Sequence, residues 1–175
     1  MAVLIEAISV VLRRAAIERA FPGGWSHFTD YVPNATLCAD SDLARVGFMS
    51  PSDVKSFVDA LEELGLHYIR DGAAVDLVVV DQQRGPAVPC GWLEYGHLSL
   101  GEAGNRVAAA RDPTSSSDTL ATPEGWSFSG SLSDKFTFVG SQDVDKKLRF
   151  LRTEGDLDVY LNLDTGKEVF LGRTA

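Results

Sequence analysis

Ser50-Pro51-Ser52-Asp53-Val54-Lys55-Ser56-Phe57-Val58-Asp59-Ala60-Leu61-Glu62-Glu63-Leu64-Gly65 carries almost every signal by which a sequence announces a helix. Ser50 is placed to cap the first amides, Pro51 takes the first helical position, where a missing N–H costs nothing, and Asp53 sets negative charge at the positive helix end. Val54, Phe57, Val58, Leu61 and Leu64 recur at helical spacing and predict one apolar stripe, with Lys55, Asp59, Glu62 and Glu63 on the opposite, solvated face. Gly65 closes the helix where a left-handed residue is wanted.

A stripe of this kind needs a sheet to cover, and the flanking sequence supplies strands. Ala44–Met49 precedes the helix, and Asp76–Asp81, Asp-Leu-Val-Val-Val-Asp, follows it after the Asp71-Gly72 turn. Ala35–Ala39 reads as a further short strand, joined to Ala44–Met49 through Asp40-Ser41-Asp42. Upstream, residues 2–12 form an apolar run too continuous for a strand with one wet face, so it is read as a single central strand. Arg14–Phe21 then turns helical, Pro22-Gly23-Gly24 breaks it, and Trp25, Phe28 and Val32 restart a short helical spacing. The order strand, helix, strand, strand, helix, strand over residues 1–83 predicts a ferredoxin-like βαββαβ unit within an α+β fold.

The second half, residues 90–175, reads as a β-rich extension packed on the first. Gln83–Gly91 is expected to be a crossing loop, and Asp112–Glu124, rich in Ser, Thr and Pro, to be the most mobile segment. Strands are expected at Trp92–Leu98, Val107–Arg111, Trp126–Ser129, Phe136–Val139 and Leu148–Arg152. The terminal hairpin pairs Asp158–Leu163 with Glu168–Leu171 across Asp164-Thr165-Gly166. Val159, Leu161, Leu163, Val169 and Leu171 are expected on one face, Tyr160 and Phe170 on the other.

The formal net charge is -9, spread evenly over both halves. That balance argues against nucleic acid or an anionic membrane as principal partner and is compatible with a basic protein. Two cysteines, Cys38 and Cys90, stand at no motif spacing, and the apolar opening reads as a strand rather than an export signal. A cytoplasmic location is expected, and Asn34-Ala35-Thr36 is then a glycosylation pattern by chance. No phosphate loop, dinucleotide-binding fingerprint or nucleophile elbow is present. Cys38, Asp40 and Asp42, like Asp156, Asp158 and Asp164, match no zinc or calcium spacing, so neither metal nor cofactor is expected.

Four features invite a functional reading. Each tryptophan follows a proline and glycine turn, at Trp25, Trp92 and Trp126, as a ligand platform or, more simply, as a first core anchor. Cys90-Gly91-Trp92-Leu93-Glu94-Tyr95-Gly96-His97 gathers reactive types, yet strand alternation puts Cys90 and His97 on opposite faces. Glu6 lies inside the most apolar run, where burial would disfavour its charge. Lys146, Lys147, Arg149 and Arg152 form a short basic patch, read first as a guarded strand edge.

The reading with the best support is a non-enzymatic, acidic protein-binding module that presents Asp59, Glu62 and Glu63 to a basic partner, as an immunity-type inhibitor would. A second reading is a small-molecule pocket, enzymatic or not, between the two halves and walled by Glu6, Trp92, Glu94 and Tyr95. A third is a structural subunit forming a homodimer through its sheet.

Overall fold

The computed structural model describes residues 1–102, 104–135, 148–155, 157–163 and 166–172. The expected strand Phe136–Val139, Lys146 and Lys147 of the basic patch, and Asp156 and Asp164 lie outside the described residues.

The fold is mixed α+β. In chain order the elements are β1 (Ala2–Ile5), β2 (Ile8–Arg13), α1 (Arg14–Ala20), α2 (Gly24–Tyr31), β3 (Cys38–Ala39), β4 (Leu43–Phe48), α3 (Pro51–Glu63), β5 (Ile69–Arg70), β6 (Ala73–Ala74), β7 (Leu77–Asp81), β8 (Gly85–Pro86), β9 (Glu94–Leu100), β10 (Asn105–Arg111), β11 (Leu120–Ala121), α4 (Leu132–Lys135), β12 (Leu148–Glu154), β13 (Leu157–Asn162) and β14 (Glu168–Gly172).

The helix that anchors the sequence reading forms as expected. Ser50 Oγ accepts the Ser52 amide at 3.2 Å, Pro51 opens α3, and Gly65 follows it at φ 102°. Val54, Phe57, Val58 and Leu61 are buried, each stabilising the fold by about 1.5–3 kcal/mol. They pack, with α1 and α2, on one face of a five-stranded antiparallel sheet ordered β3-β4-β2-β7-β8. Alternation along β2 puts Val10 and Leu12 in this helical core and Val11 in a second core on the other face. There a four-stranded sheet, β11-β1-β10-β9, covers it with Val3, Leu4, Ile5, Val107 and Ala108.

The run expected as one central strand is therefore two strands in two sheets. The chain turns at Ala7, held at φ 50°, whose amide donates to Gln82 Oε1 at 2.7 Å while its carbonyl accepts the Gln82 amide at 2.9 Å. At about 3.3 Å per residue, an unbroken strand of that length would overrun its neighbours, and folding it back lets the same apolar run face itself across the second core.

Other boundaries also shift. The expected crossing loop contains β8, which pairs with Val80 and Asp81 and tolerates Pro86 because it is an edge. Asp81 Oδ1 accepts the amides of Gln83 and Arg84 and shapes that turn. Asp71 and Gly72, both at positive φ (53° and 78°), form the tight turn of the β5–β6 hairpin. Trp126–Ser129 is turn rather than strand: the Trp126 amide closes on the Pro123 carbonyl and the Ser131 amide on Phe128. In the terminal hairpin Val159 stands opposite Phe170 and Tyr160 opposite Val169, one residue off the expected pairing. Phe170 thus shares the face of the buried Val159, and Tyr160 packs edge-on against Phe150 of β12 at 5.5 Å.

Candidate functional site

Where β1 ends and β4 runs beneath it, each of two apolar strands carries a charged side chain, Glu6 and Arg45. Arg45 is only 2% exposed. It stands opposite Val11 and Cys38 in the strand register, which turns it into the space between the two sheets. Its Nε donates to Ser9 Oγ at 2.8 Å, and its terminal nitrogens donate to the carbonyls of Glu6 at 2.8 Å and Thr36 at 3.3 Å. Among the described residues no carboxylate lies within ion-pair distance of it. Burial pulls the pKa of its guanidinium down from the ordinary value, and the nearby Cys38 and Glu6 oppose that shift. The Cys38 thiol is pushed up, first by its own burial, with Arg45 acting the other way. Burial dominates for both partners, so this is an inert thiol beside a structural cation rather than an activated nucleophile.

Gly47 is required by the same arginine. A Cβ there would stand 2.4 Å from an Arg45 terminal nitrogen. Beside it, Asn34 and Thr36 take over the ladder that the two-residue β3 is too short to supply. Asn34 Nδ2 donates to the Gly47 carbonyl at 2.8 Å, and the Gly47 amide donates to Thr36 Oγ1 at 2.7 Å. The Asn-Ala-Thr pattern is thus spent on the fold.

Glu6 faces the other way. Its Oε1 accepts the amide and hydroxyl of Ser133 at 2.9 and 2.6 Å, and its Oε2 accepts Trp126 Nε1 at 3.2 Å. Three donors fix this carboxylate, so it ties α4 and the Trp126 turn to the end of β1.

Above these two groups lies an open cleft of about 540 Å³. Trp126, partly exposed, forms one wall. Met49 and Asp53 form another, and Glu124 stands at the rim. Asp53, Glu124 and Met49 are exposed, whereas Arg45 and Glu6 lie at the floor. A second open cleft, of about 560 Å³, shares Asn34, Phe48 and Asp53 with the first and continues between α2 and α3 past Tyr31 and Phe57.

The residues expected to wall one pocket are distributed over three places. Glu6 lines the cleft just described. Glu94 and Tyr95 lie on β9 beside a recess of about 150 Å³, where exposed Glu94 is held by Arg111 Nε at 2.8 Å and drawn below its ordinary range by it. The Tyr95 hydroxyl donates to the Gln82 carbonyl at 2.5 Å. Trp92 donates from Nε1 to the Ala74 carbonyl at 3.1 Å, with the Arg13 guanidinium 5.8 Å above its ring. Trp25 stacks on Phe28 and carries Arg14 over its own ring at 3.5 Å. Of the three tryptophans, Trp126 is the one the cleft exposes.

The carboxylates expected to face a partner are partly engaged. Asp59 pairs with Lys55 one helical turn away, and Glu62 accepts the Tyr68 amide at 3.1 Å. Glu63 is exposed. In the basic patch, Arg152 is held by Glu154 at 2.6 Å and Glu168 at 2.8 Å. His27 and His67 are exposed and distant in sequence from the cleft, and His97 sits half-buried on β9 against Tyr95. Among the described residues, no three His, Cys, Asp or Glu side chains are grouped to hold a metal ion, and no helix is long and apolar enough to cross a membrane.

Sequence reasoning missed Arg45, Asp53, Glu124 and Ser133 as parts of one site. One signal was present: Leu-Ala-Arg-Val-Gly-Phe is an apolar strand with a single charge in it, as is Ala2–Ala7 with Glu6. No known protein family matches the chain, and no curated protein or solved structure matches it either.

Proposed function

We propose that this protein is a non-catalytic binding module that receives a basic side chain of a partner protein in the cleft beside Trp126. The observation that carries this reading is the charge of the cleft. At its floor Glu6 and Arg45 oppose one another, each fixed by hydrogen bonds to this chain's own groups. What remains for a visitor is the pair of exposed carboxylates, Asp53 and Glu124, which line the cleft together with a partly exposed indole. A lysine or arginine placed there meets two negative charges and an aromatic ring, which attracts cations. The net charge of -9 steers such a partner toward the surface and makes the encounter salt-sensitive. On the outer face of α3, Asp59 and Glu62 already have partners within the chain and Glu63 is exposed, so that face could add to the attraction of a basic partner.

The order β3-β4-β2-β7, with α1 and α2 on one crossover and α3 on the other, supports reading residues 1–83 as a ferredoxin-like unit whose open end carries the cleft. The unpaired thiols Cys38 and Cys90 suit a reducing compartment such as the cytoplasm. A small-molecule role has one observation in its favour, since about 540 Å³ lies within the range of ligand pockets.

The test is a titration of ¹⁵N-labelled protein with N-acetyl-arginine methylamide and N-acetyl-lysine methylamide, following the Trp126 indole N–H. Saturable shifts that weaken with added salt and vanish in D53N/E124Q are expected. Saturation that is unchanged in that variant, or no shift at Trp126, overturns the reading.

A further inference from the structure

Two of the large apolar side chains left exposed, Tyr31 at 42% and Met49 at 47%, flank the paired clefts. Tyr31 packs against Phe57 with ring centroids 6.4 Å apart, and Phe57 against Phe48 at 5.2 Å, so an aromatic floor runs from the second cleft to the first. Asp53 stands at the junction, lining both. Phe48 and Phe57 are themselves buried, so the exposed apolar area beside the acidic cleft comes from Tyr31 and Met49, one at each end of that floor.

We infer that the partner docks a segment carrying two anchors, a basic side chain between Asp53 and Glu124 and an apolar side chain over Tyr31, Phe48 and Phe57. This rests on the proposed basic-side-chain reading and extends it to the neighbouring cleft. The occupant is fixed by complementarity on both counts. The carboxylates select a cation, and the Tyr31, Phe48 and Phe57 rings along the second cleft favour an apolar group. Because the clefts share one carboxylate, the anchors are close neighbours on the segment, as on one face of a helix turn or at alternate positions of a strand.

The probe is a phage-displayed library of random dodecapeptides, selected against the full chain and then measured individually by fluorescence anisotropy. Ser56 is exposed on α3 and lines the second cleft, so Ser56→Trp fills it. Because Asp53, one helical turn earlier, lines the same cleft, unchanged binding of N-acetyl-arginine methylamide to S56W checks that the carboxylate site is intact. Ser56→Ala and circular dichroism control for the fold.

Enriched peptides with a basic and an apolar residue at short fixed spacing are expected, weakened at least tenfold by S56W and separately by D53N/E124Q. Basic peptides indifferent to S56W would overturn the two-anchor inference while leaving the basic-side-chain reading intact. Apolar peptides indifferent to D53N/E124Q, or no enrichment, would overturn both. Self-association in sedimentation that S56W dissolves would assign the apolar cleft to a second copy of this chain, and would also overturn the inference.

Discussion

The carboxylate of Glu6 accepts both the amide and the hydroxyl of Ser133, residues 127 positions apart, at 2.9 and 2.6 Å. One side chain at the end of the first strand thereby orders a short helix near the other end of the chain. Glu6→Ala is expected to lower stability by about 2–3 kcal/mol, because it strands the buried amide and hydroxyl of Ser133 and removes the partner of the Trp126 indole N–H. Glu6→Gln, which keeps an acceptor oxygen, is expected to cost less than half as much. Urea unfolding followed by tryptophan fluorescence separates the two. Equal losses would mean that the contact is not what holds α4.

Gly47→Ala is expected to destabilise by about 1–3 kcal/mol through collision with the Arg45 guanidinium. The collision has a single source, so the cost should largely disappear in an Arg45→Ala background. A double-mutant cycle from urea midpoints measures this. Additive losses would place the strain in the backbone instead.

Arg19 and Asp76 form an unequal pair, with side chains 62% and 1% exposed. Asp76 also accepts the His67 amide at 2.9 Å. Asp76→Ala removes both the ion pair and the acceptor of the His67 amide and is expected to cost about 2–3 kcal/mol, more than Arg19→Ala, which leaves that acceptor in place. Thermal unfolding of the two variants tests the asymmetry.

Tyr95 has its phenol pushed up to about 12, by burial first and by the Asp81 carboxylate second. The fold keeps the neutral phenol. Its contribution to stability is therefore whole below the ordinary value of 10.0 and is lost as pH rises through about 12. Tyr68, raised by its burial, acts in the same direction. Tyr95→Phe is expected to flatten part of the fall in stability over that alkaline window, at a neutral-pH cost of about 1 kcal/mol for the lost hydrogen bond to Gln82. An unchanged alkaline slope would remove Tyr95 from the account.

Burial pushes both thiols up, but Cys38 is buried whereas Cys90 is only partly so. A disulfide reagent added to native protein is expected to modify Cys90 well before Cys38, with both reacting promptly once the chain is unfolded in denaturant. Equal rates in native protein would show that the core around Arg45 opens readily.

Local chemistry made α3 legible to the residue. Ser50, Pro51 and Gly65 act within one or two positions of themselves, and the stripe from Val54 to Leu61 needs only a surface to cover. β4 and β7 were legible for the same reason. The division at Ala7 was not, because neither Glu6 nor Ala7 is a turn former, and the positive φ is imposed by Gln82 from across the fold. The register of the terminal hairpin slipped by one because the alternation of Val159 and Leu161 fits either face. The site was opaque in a different way. Asp53 reads as a helix-start residue, Glu124 as part of a turn and Arg45 as a blemish in a strand, and only the closure of two sheets brings them to one cleft. A lone charge in each of two apolar runs, Glu6 and Arg45, was the one clue in the sequence, and it pointed to a shared interior.

The fold-back at Ala7 also sets a timetable. β2 finds its partners β4 and β7 within the first half of the chain, but β1 must wait for β10, where Ala2 meets Arg111. At the usual pace of synthesis, about 5–20 residues per second, that wait is on the order of ten seconds. Throughout it, Ala-Val-Leu-Ile stays tethered by two residues to a sheet that is already assembling, an apolar strand with nothing yet to pair with. Emergence of β10 is the event that gives this strand its antiparallel neighbour, so the interval before it is when β1 is most open to pairing with another chain.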